Sequence, residues 1–183
     1  MLRGEKVVIR AIEKSDHPRL QEFVNDKETH LLADDEAFVP QSLQQVEKSF
    51  EEWVNDKEQV GPFGIEADGK LIGTCGLHNV DNHSRVCSFG INIGDPDYLG
   101  KGYGRDAVKV LLEYAFKHRN FRKVWLTVFA DNERAIRAYK ALGFVEEGLQ
   151  RQQAWNEGRY KDWLLMGLLV EEWKGQAAGG AGG

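Results

Sequence analysis

The sequence predicts a mixed α/β (α+β) fold built around a largely antiparallel central sheet. Alternating apolar runs joined by tight turns, at Asp68-Gly69 and at Asp81-Asn82-His83, indicate three antiparallel strands in succession. Further along, a strand at Val124 to Phe129 follows a helix-patterned stretch, which indicates a strand–helix–strand unit. Because consecutive hairpins come first, a simple dinucleotide-binding arrangement of alternating strands and helices is excluded.

Local patterns predict the first elements of the chain. Val7 to Ile12 has the composition of a strand, and Ser15 or Asp16 then caps a helix that runs to about Val24. The run Ser42-Leu43-Gln44-Gln45 has the form of a capping box, and apolar side chains recur at helical spacing after it. A second helix is therefore predicted from this point.

The rest of the chain alternates between strands and two more helices. A helix from about Gly102 to Lys117 places its apolar side chains on one face, and another helix begins at Asn132. The predicted strands are Phe63 to Ala67, Lys70 to Val80, Val86 to Ile93, Val124 to Phe129, Val145 to Ala154 and Lys161 to Val170, the last two joined by the turn Asn156-Glu157-Gly158.

Composition limits the class of protein. A chain of 183 residues with 42% apolar content can bury one substantial core, so we expect a single domain over residues 1–174. The Ala/Gly-rich segment 175–183 is expected to be disordered. A net charge of −5 argues against a nucleic-acid-binding protein, and no apolar run is long enough for a membrane span. We therefore expect a cytoplasmic protein.

The two cysteines, Cys75 and Cys87, are not spaced as metal ligands. Each lies in an apolar, strand-like run, which favours buried free thiols over a catalytic role. No metal site is predicted.

The most informative segment is the run Leu99-Gly100-Lys101-Gly102-Tyr103-Gly104, which is followed by a helix. Three alternating glycines let the backbone turn tightly and bring its N–H groups close to an anion, and the helix presents its positive end there. Such a loop can hold a pyrophosphate. By itself it also fits a loose dinucleotide fingerprint through Gly102-x-Gly104-x-x-Ala107.

A second motif distinguishes these possibilities. The helix that starts at Asn132 brings Ala135, Ile136, Tyr139 and Gly143 towards one face, in the sequence Asn132-Glu133-Arg134-Ala135 and Tyr139-Lys140-Ala141-Leu142-Gly143-Phe144. Together, the two motifs resemble the GNAT superfamily of acetyl-CoA-dependent N-acetyltransferases. The resemblance runs from about Val7 to Glu172. Through Gly158-Arg159-Tyr160-Lys161-Asp162 and Met166 the chain is most similar to the ribosomal-protein and spermidine acetyltransferases.

This resemblance implies a GNAT-like sheet that splays where the co-substrate enters, with helices on both faces. It implies that acetyl-CoA is the co-substrate, that the strand around Ile91, Asn92 and Ile93 binds its pantetheine amides, and that the glycine loop takes its diphosphate. Tyr139 would be the catalytic acid that protonates the departing thiolate. The implied co-substrate residues are Ile91, Asn92, Ile93, Leu99, Gly100, Lys101, Gly102, Tyr103, Gly104, Arg105, Asn132 and Tyr139.

The acceptor is an amine, and one departure from the family pattern bears on which amine it is. Similar enzymes often carry a glutamate at the position of Ser88, and serine is not an ordinary base. At pH 7 roughly one primary alkylamine in 2,500 is neutral, against about one α-amine in ten, a gap of about 3 kcal/mol. We therefore expect an α-amine, on a protein N-terminus or a small molecule, to be preferred.

Several alternatives stay open. Polyamine or aminoglycoside acetylation is supported by the acidic run Asp34-Asp35-Glu36, which can attract a cationic amine or can be a solvated loop. His78 could relay a proton through water, or be a structural histidine. A regulatory domain that binds acetyl-CoA without efficient chemistry is also conceivable, and a homo-oligomer is possible.

Overall fold

The computed structural model describes residues 1–33, 38–156 and 158–175. Its strands are β1 (Leu2–Arg3), β2 (Val8–Ala11), β3 (Val60–Ala67), β4 (Lys70–Asp81), β5 (Val86–Ile93), β6 (Lys123–Phe129), β7 (Val145–Asn156) and β8 (Arg159–Leu169). Its helices are α1 (His17–Asn25), α2 (Lys27–Ala33), α3 (Leu43–Asn55), α4 (Tyr103–Glu113) and α5 (Glu133–Ala141). Three segments of the sequence-based predictions lie outside the described residues: the acidic run Asp34–Glu36, Glu157 of the last turn, and the tail beyond Gly175.

Within the described residues, eight strands form one sheet in the order β1-β2-β3-β4-β5-β6-β8-β7. Every neighbouring pair is antiparallel except β5 and β6, which run parallel. That parallel pair is short, because it joins only Val86, Cys87 and Ser88 to Lys123, Val124 and Trp125. Beyond Ser88 the two strands separate, so the sheet opens between them. The predicted mixed, largely antiparallel sheet is confirmed.

Helices cover both faces of the sheet, as the resemblance implies. Leu71 of β4 packs with Leu20 and Phe23 of α1 and Val46 of α3 on one face. On the other face, Val108, Leu111 and Leu112 of α4 are buried in the main core together with Ala115 of the turn that follows. This core also contains β-strand side chains such as Ile65 and Val124. The inward face predicted for α4 is therefore confirmed.

The predicted element boundaries are close to those of the structure, with a few differences. The Ser42 capping box is present, since the side chains of Ser42 and Gln45 each bind the other residue's backbone N–H. Helix α2 was not predicted, and a 3₁₀ turn at Lys14–Asp16 precedes α1. Helix α4 ends at Glu113, and a π-helical turn follows directly over Tyr114–His118. The predicted end at Lys117 is therefore close to the end of this turn and beyond the end of α4 itself.

Cys75 and Cys87 are both free and buried, as predicted. Burial raises the pKa of each thiol to about 12, so neither forms a thiolate near neutral pH. Among the helices of the described ranges, none combines the length and apolarity needed to cross a bilayer.

A buried carboxylate fixes the first turn of α4. Asp106 is 6% exposed, and its Oδ2 accepts hydrogen bonds from the backbone N–H groups of Lys6 (2.7 Å) and Val7 (3.1 Å). A carboxylate in the first turn of a helix also interacts favourably with the helix dipole. Asp106 therefore ties the start of β2 to the beginning of α4.

We expect Asp106→Ala to lower the free energy of unfolding by about 3 kcal/mol, because two backbone donors would lose their partner in a buried place. Urea denaturation measures this directly. Asp97→Ala makes the same chemical change at an exposed position and should alter stability by less than about 0.5 kcal/mol. Equal effects of the two substitutions would contradict the role given to Asp106.

Candidate active site

The opening between β5 and β6 continues into a cleft of about 420 Å³, a size typical of small-molecule sites. Ten of the twelve co-substrate residues implied by the resemblance line it: Ile91, Asn92, Ile93, Leu99, Gly100, Gly102, Gly104, Arg105, Asn132 and Tyr139. Lys101 and Tyr103 do not. The structure thus brings together residues from β5, the glycine loop, α4 and α5 that lie up to 48 positions apart, from Ile91 to Tyr139.

The glycine loop adopts the backbone conformation that its composition predicts. Gly100 and Gly102 have φ of +75° and +88°, a left-handed region in which other residues are strained. Gly102 is also the N-cap of α4, so the loop leads directly into the positive end of that helix. A helix N-terminus with such a loop is suited to bind an anion.

Lys101 and Tyr103 hold the loop in place. The Nζ of Lys6 donates to the carbonyl oxygen of Lys101 at 3.0 Å and lies 5.3 Å from the centre of the Tyr103 ring. The Tyr103 ring in turn packs edge-on against Tyr98, whose hydroxyl donates to Asp68 at 3.1 Å. These two residues therefore position the loop, and their side chains do not face the cleft.

The end of α5 explains where Tyr139 lies. Gly143 (φ +101°) follows the helix, and its N–H donates to the carbonyl of Lys140 (3.0 Å), while the N–H of Phe144 donates to the carbonyl of Tyr139 (3.1 Å). These two bonds define a Schellman motif, in which the residue after the glycine also packs against the helix. The rings of Phe144 and Tyr139 are accordingly 5.9 Å apart. The helix ending itself orients the tyrosine.

The surroundings of Tyr139 suit a proton donor. Its ring is half-buried and also packs edge-on against Phe89 of β5, with 5.8 Å between centres. Burial raises the pKa of Tyr139, so the phenol stays protonated well above neutral pH. Within the described chain nothing hydrogen-bonds its hydroxyl, which leaves the O–H available to a ligand in the cleft.

The charges at the cleft favour an anion. Its charged lining residues, Arg105 and Arg134, are both cationic, and the described part of the lining contains no acidic side chain. The guanidinium of Arg134 lies close to Gly100 and so borders the glycine loop. An isolated arginine near a helix start carries no pattern of its own, so the sequence does not mark Arg134 as a site residue.

Asn132 both caps helix α5 and lines the cleft. Its Oδ1 accepts from the N–H of Ala135 at 3.1 Å and so caps α5. Thr29, Tyr98, Ala138 and Leu142 also line the cleft and are not identified from the sequence. No signal in the sequence marks them.

Ser88 has both of its hydrogen-bonding functions satisfied. The hydroxyl accepts from Nδ2 of Asn79 at 2.9 Å and donates to the carbonyl of His78 at 3.2 Å. It is 6% exposed and lies where β5 and β6 separate. Ser88 is therefore a structural residue here, as expected of a side chain that is no ordinary base.

Among the described residues, no cluster of His, Cys, Asp and Glu side chains has the composition of a metal site.

The chain belongs to the GNAT acetyltransferase family, because the family's "Acetyltransferase (GNAT) domain" model matches residues 6–145. The spermidine N(1)-acetyltransferase of Vibrio cholerae is 27% identical over 170 residues, covering 93% of this chain and 96% of that protein. YdaF of Bacillus subtilis, provisionally named as a ribosomal N-acetyltransferase, is 29% identical over 179 residues, covering 94% of this chain and 96% of that protein.

Solved structures lead to the same family. The crystal structure of spermidine N-acetyltransferase from Vibrio cholerae in complex with CoA and spermine superposes with a TM-score of 0.83 at 27% identity, covering 91% of this chain and 97% of that one. The protein is thus an acetyl-CoA-dependent N-acetyltransferase with acetyl-CoA as its co-substrate. This excludes the dinucleotide-binding interpretation of the glycine loop and the non-catalytic one.

Proposed function

We propose that this protein transfers the acetyl group of acetyl-CoA to a polyamine of the spermidine class. The observation that supports this most strongly is its similarity, over more than nine tenths of both chains, to a spermidine acetyltransferase whose structure contains CoA and spermine. The reaction forms an amide bond to the amine nitrogen, breaks the thioester C–S bond and releases free CoA thiol.

The cleft supplies the groups that such a co-substrate needs. Beyond Ser88, the edge of β5 that faces β6 has no strand partner in the described chain, so its N–H and C=O groups can pair with the amides of an extended ligand. Ile91, Asn92 and Ile93 lie on this stretch. The glycine loop, the start of α4, Arg105 and Arg134 would then take the phosphates.

Tyr139 is the proposed acid. A thiolate with a pKa near 8.5 leaves more readily if a nearby group protonates it. Tyr139 faces the cleft with a protonated hydroxyl that has no partner in the described chain. Tyr98, the other phenol among the described lining residues, already donates its hydroxyl to Asp68.

The polyamine proposal replaces the α-amine preference expected from the sequence. That expectation relied on the low neutral fraction of alkylamines and on the missing carboxylate at Ser88, and the named relatives favour the polyamine alternative instead. The protein's net charge of −5 suits a polycation. Thr29 of α2 lines the cleft, and the sequence continues directly from α2 into Asp34, Asp35 and Glu36.

The acceptor is tested by measuring thiol release from acetyl-CoA with spermidine, spermine, an α-amine peptide and an aminoglycoside. We expect the largest kcat/KM with spermidine or spermine. Propylamine is the matched control, because it has the same reacting end as a polyamine without the further cations, and its kcat/KM should be at least about tenfold lower. A higher kcat/KM with the peptide would refute the polyamine acceptor.

Tyr139→Phe should lower kcat by about 10²- to 10⁴-fold, the usual contribution of a positioned proton donor. The ring contacts with Phe89 and Phe144 are retained, so the Kd for CoA should stay within about twofold. Tyr114→Phe removes a hydroxyl from another half-buried ring, on the turn after α4, and should leave kcat unchanged. A Tyr139→Phe enzyme with wild-type kcat would exclude Tyr139 as the acid.

Gly102→Ala should weaken CoA binding, because a side chain at φ +88° strains the loop by about 1–2 kcal/mol. Calorimetric titration with CoA measures the effect, and we expect the Kd to rise about tenfold. Gly69→Ala is the matched control: it has φ +74° with open space around it, in the turn between β3 and β4. If both variants bind CoA like the wild type, the glycine loop is not the phosphate site.

A further inference from the structure

We propose that His78, through its Nε2 atom, accepts the proton that the amine loses during acetyl transfer. This inference rests on the proposed amine acetylation and adds to it the missing base. The sequence leaves His78 as a proton relay or a structural histidine, and the contacts around its ring support the first.

The ring of His78 occupies the position beside the sheet opening. His78 of β4 pairs directly with Ser88 of β5, at the last residue before β5 and β6 separate. Its Nε2 lies over Gly90, because a Cβ added at Gly90 would come within 2.8 Å of that nitrogen. Gly90 pairs in turn with Gly76, and because neither residue has a side chain, there is room for the imidazole.

The acid and the proposed base lie on opposite faces of the same strand. Phe89 contacts the ring of Tyr139, and the next residue, Gly90, contacts His78. Since successive residues of a strand point to opposite faces, Tyr139 and His78 flank β5 from its two sides where its edge is free. A thioester held along this edge would have a proton donor on one side and a proton acceptor on the other.

The neighbours of His78 decide which nitrogen carries the proton. Nε2 of Gln59 lies 2.7 Å from Oδ2 of Asp56, and a carboxylate can only accept, so the amide N–H₂ of Gln59 points to Asp56. The amide oxygen Oε1 then faces Nδ1 of His78 at 2.8 Å. Nδ1 must therefore be the N–H, which leaves the lone pair of Nε2 directed at Gly90.

The backbone and the ring of His78 are both held. Ser88 donates to the carbonyl of His78 and accepts from the side chain of Asn79, which adopts a left-handed conformation (φ +49°) at an irregularity in the pairing of β4 with β5. The indole of Trp53 in α3 stacks on the imidazole, with 5.5 Å between centres and 20° between planes. Ser88 is thus a positioning residue for His78.

Burial favours the neutral form of His78 at pH 7. Burial lowers the pKa of His78, and the nearby carboxylate of Asp56 opposes this only in part. Asp56 is the charged group that faces His78 from the end of α3, whereas Trp53 of α3 and Ser88 and Gly90 of β5 are uncharged. A neutral imidazole can accept a proton near neutral pH.

The protons balance as follows. The amine nitrogen bonds to the acetyl carbon, and the proton it then releases passes to Nε2 of His78, giving an imidazolium. The C–S bond breaks, and the phenol of Tyr139 protonates the sulfur, leaving a phenolate. The imidazolium and the phenolate exchange a proton through solvent, so both groups return to their starting states.

The test is the pH dependence of kcat at saturating substrate. The wild type should lose activity towards acid pH as His78 becomes protonated, and this acidic limb of the profile should lie below the ordinary pKa of histidine, because burial lowers the pKa of His78. His78→Gln should lower kcat by about 10²- to 10⁴-fold and abolish this acidic limb. Gln59→Glu should move the limb to higher pH, since a carboxylate beside Nδ1 stabilises the imidazolium and raises the pKa of His78. His83→Gln, in the exposed β4–β5 turn, is the matched control and should change neither kcat nor the position of the acidic limb.

An acidic limb that persists in His78→Gln, or stays in place in Gln59→Glu, would overturn the proposal. If spermidine is not acetylated but another amine is, the proposal of a polyamine acceptor is wrong. The same comparison of pH profiles, made with that other amine, then still tests the role of His78. Nitrogen NMR of the imidazole in the protein alone gives a readout independent of turnover. The Nδ1–H tautomer supports the proposal, and the Nε2–H tautomer refutes it.

Discussion

The separation of β5 from β6 is the constraint on which the site depends. Two parallel strands that paired along their whole length would close the sheet and satisfy their own backbone groups. Here the pairing stops at Ser88 and Trp125, and both strands continue. The free edge of β5 creates the cleft, and the adjacent helices α4 and α5 border it. Tyr139 contacts Phe89 on one face of β5, and His78 contacts Gly90 on the other.

Each of these groups is placed by ordinary features of protein structure. The glycine loop is set by its left-handed residues, by the N-terminus of α4 and by Lys6. The position of Tyr139 is determined by the end of α5, where two hydrogen bonds and the contact with the Phe144 ring form a Schellman motif. The ring of His78 is set by one stacked indole and a chain of two hydrogen bonds from Asp56. The strands supply the framework, and short-range contacts determine the direction of each side chain.

Much of the fold could be predicted from the sequence, because its strands are apolar runs bounded by turns and its turns and caps use characteristic residues. Helix α2 was missed because its seven residues are too few to show a helical period. The glycine loop and Tyr139 were found because each belongs to a motif of fixed spacing. Arg134 and Thr29 belong to no such motif, and Gln59 meets His78 only because β3 pairs with β4.

The short pairing between β5 and β6 also affects how the protein responds to its ligands. The sheet consists of two parts, β1 to β5 and β6 to β8, which are joined directly by three residue pairs. The cleft beside this junction is bordered by β5 on one side and by α5, which follows β6, on the other. Binding to the folded form alone contributes about 2.7 kcal/mol of stability when the ligand is present at a hundred times its Kd. Acetyl-CoA bound in the cleft would therefore stabilise the folded enzyme as well as supply its acetyl group.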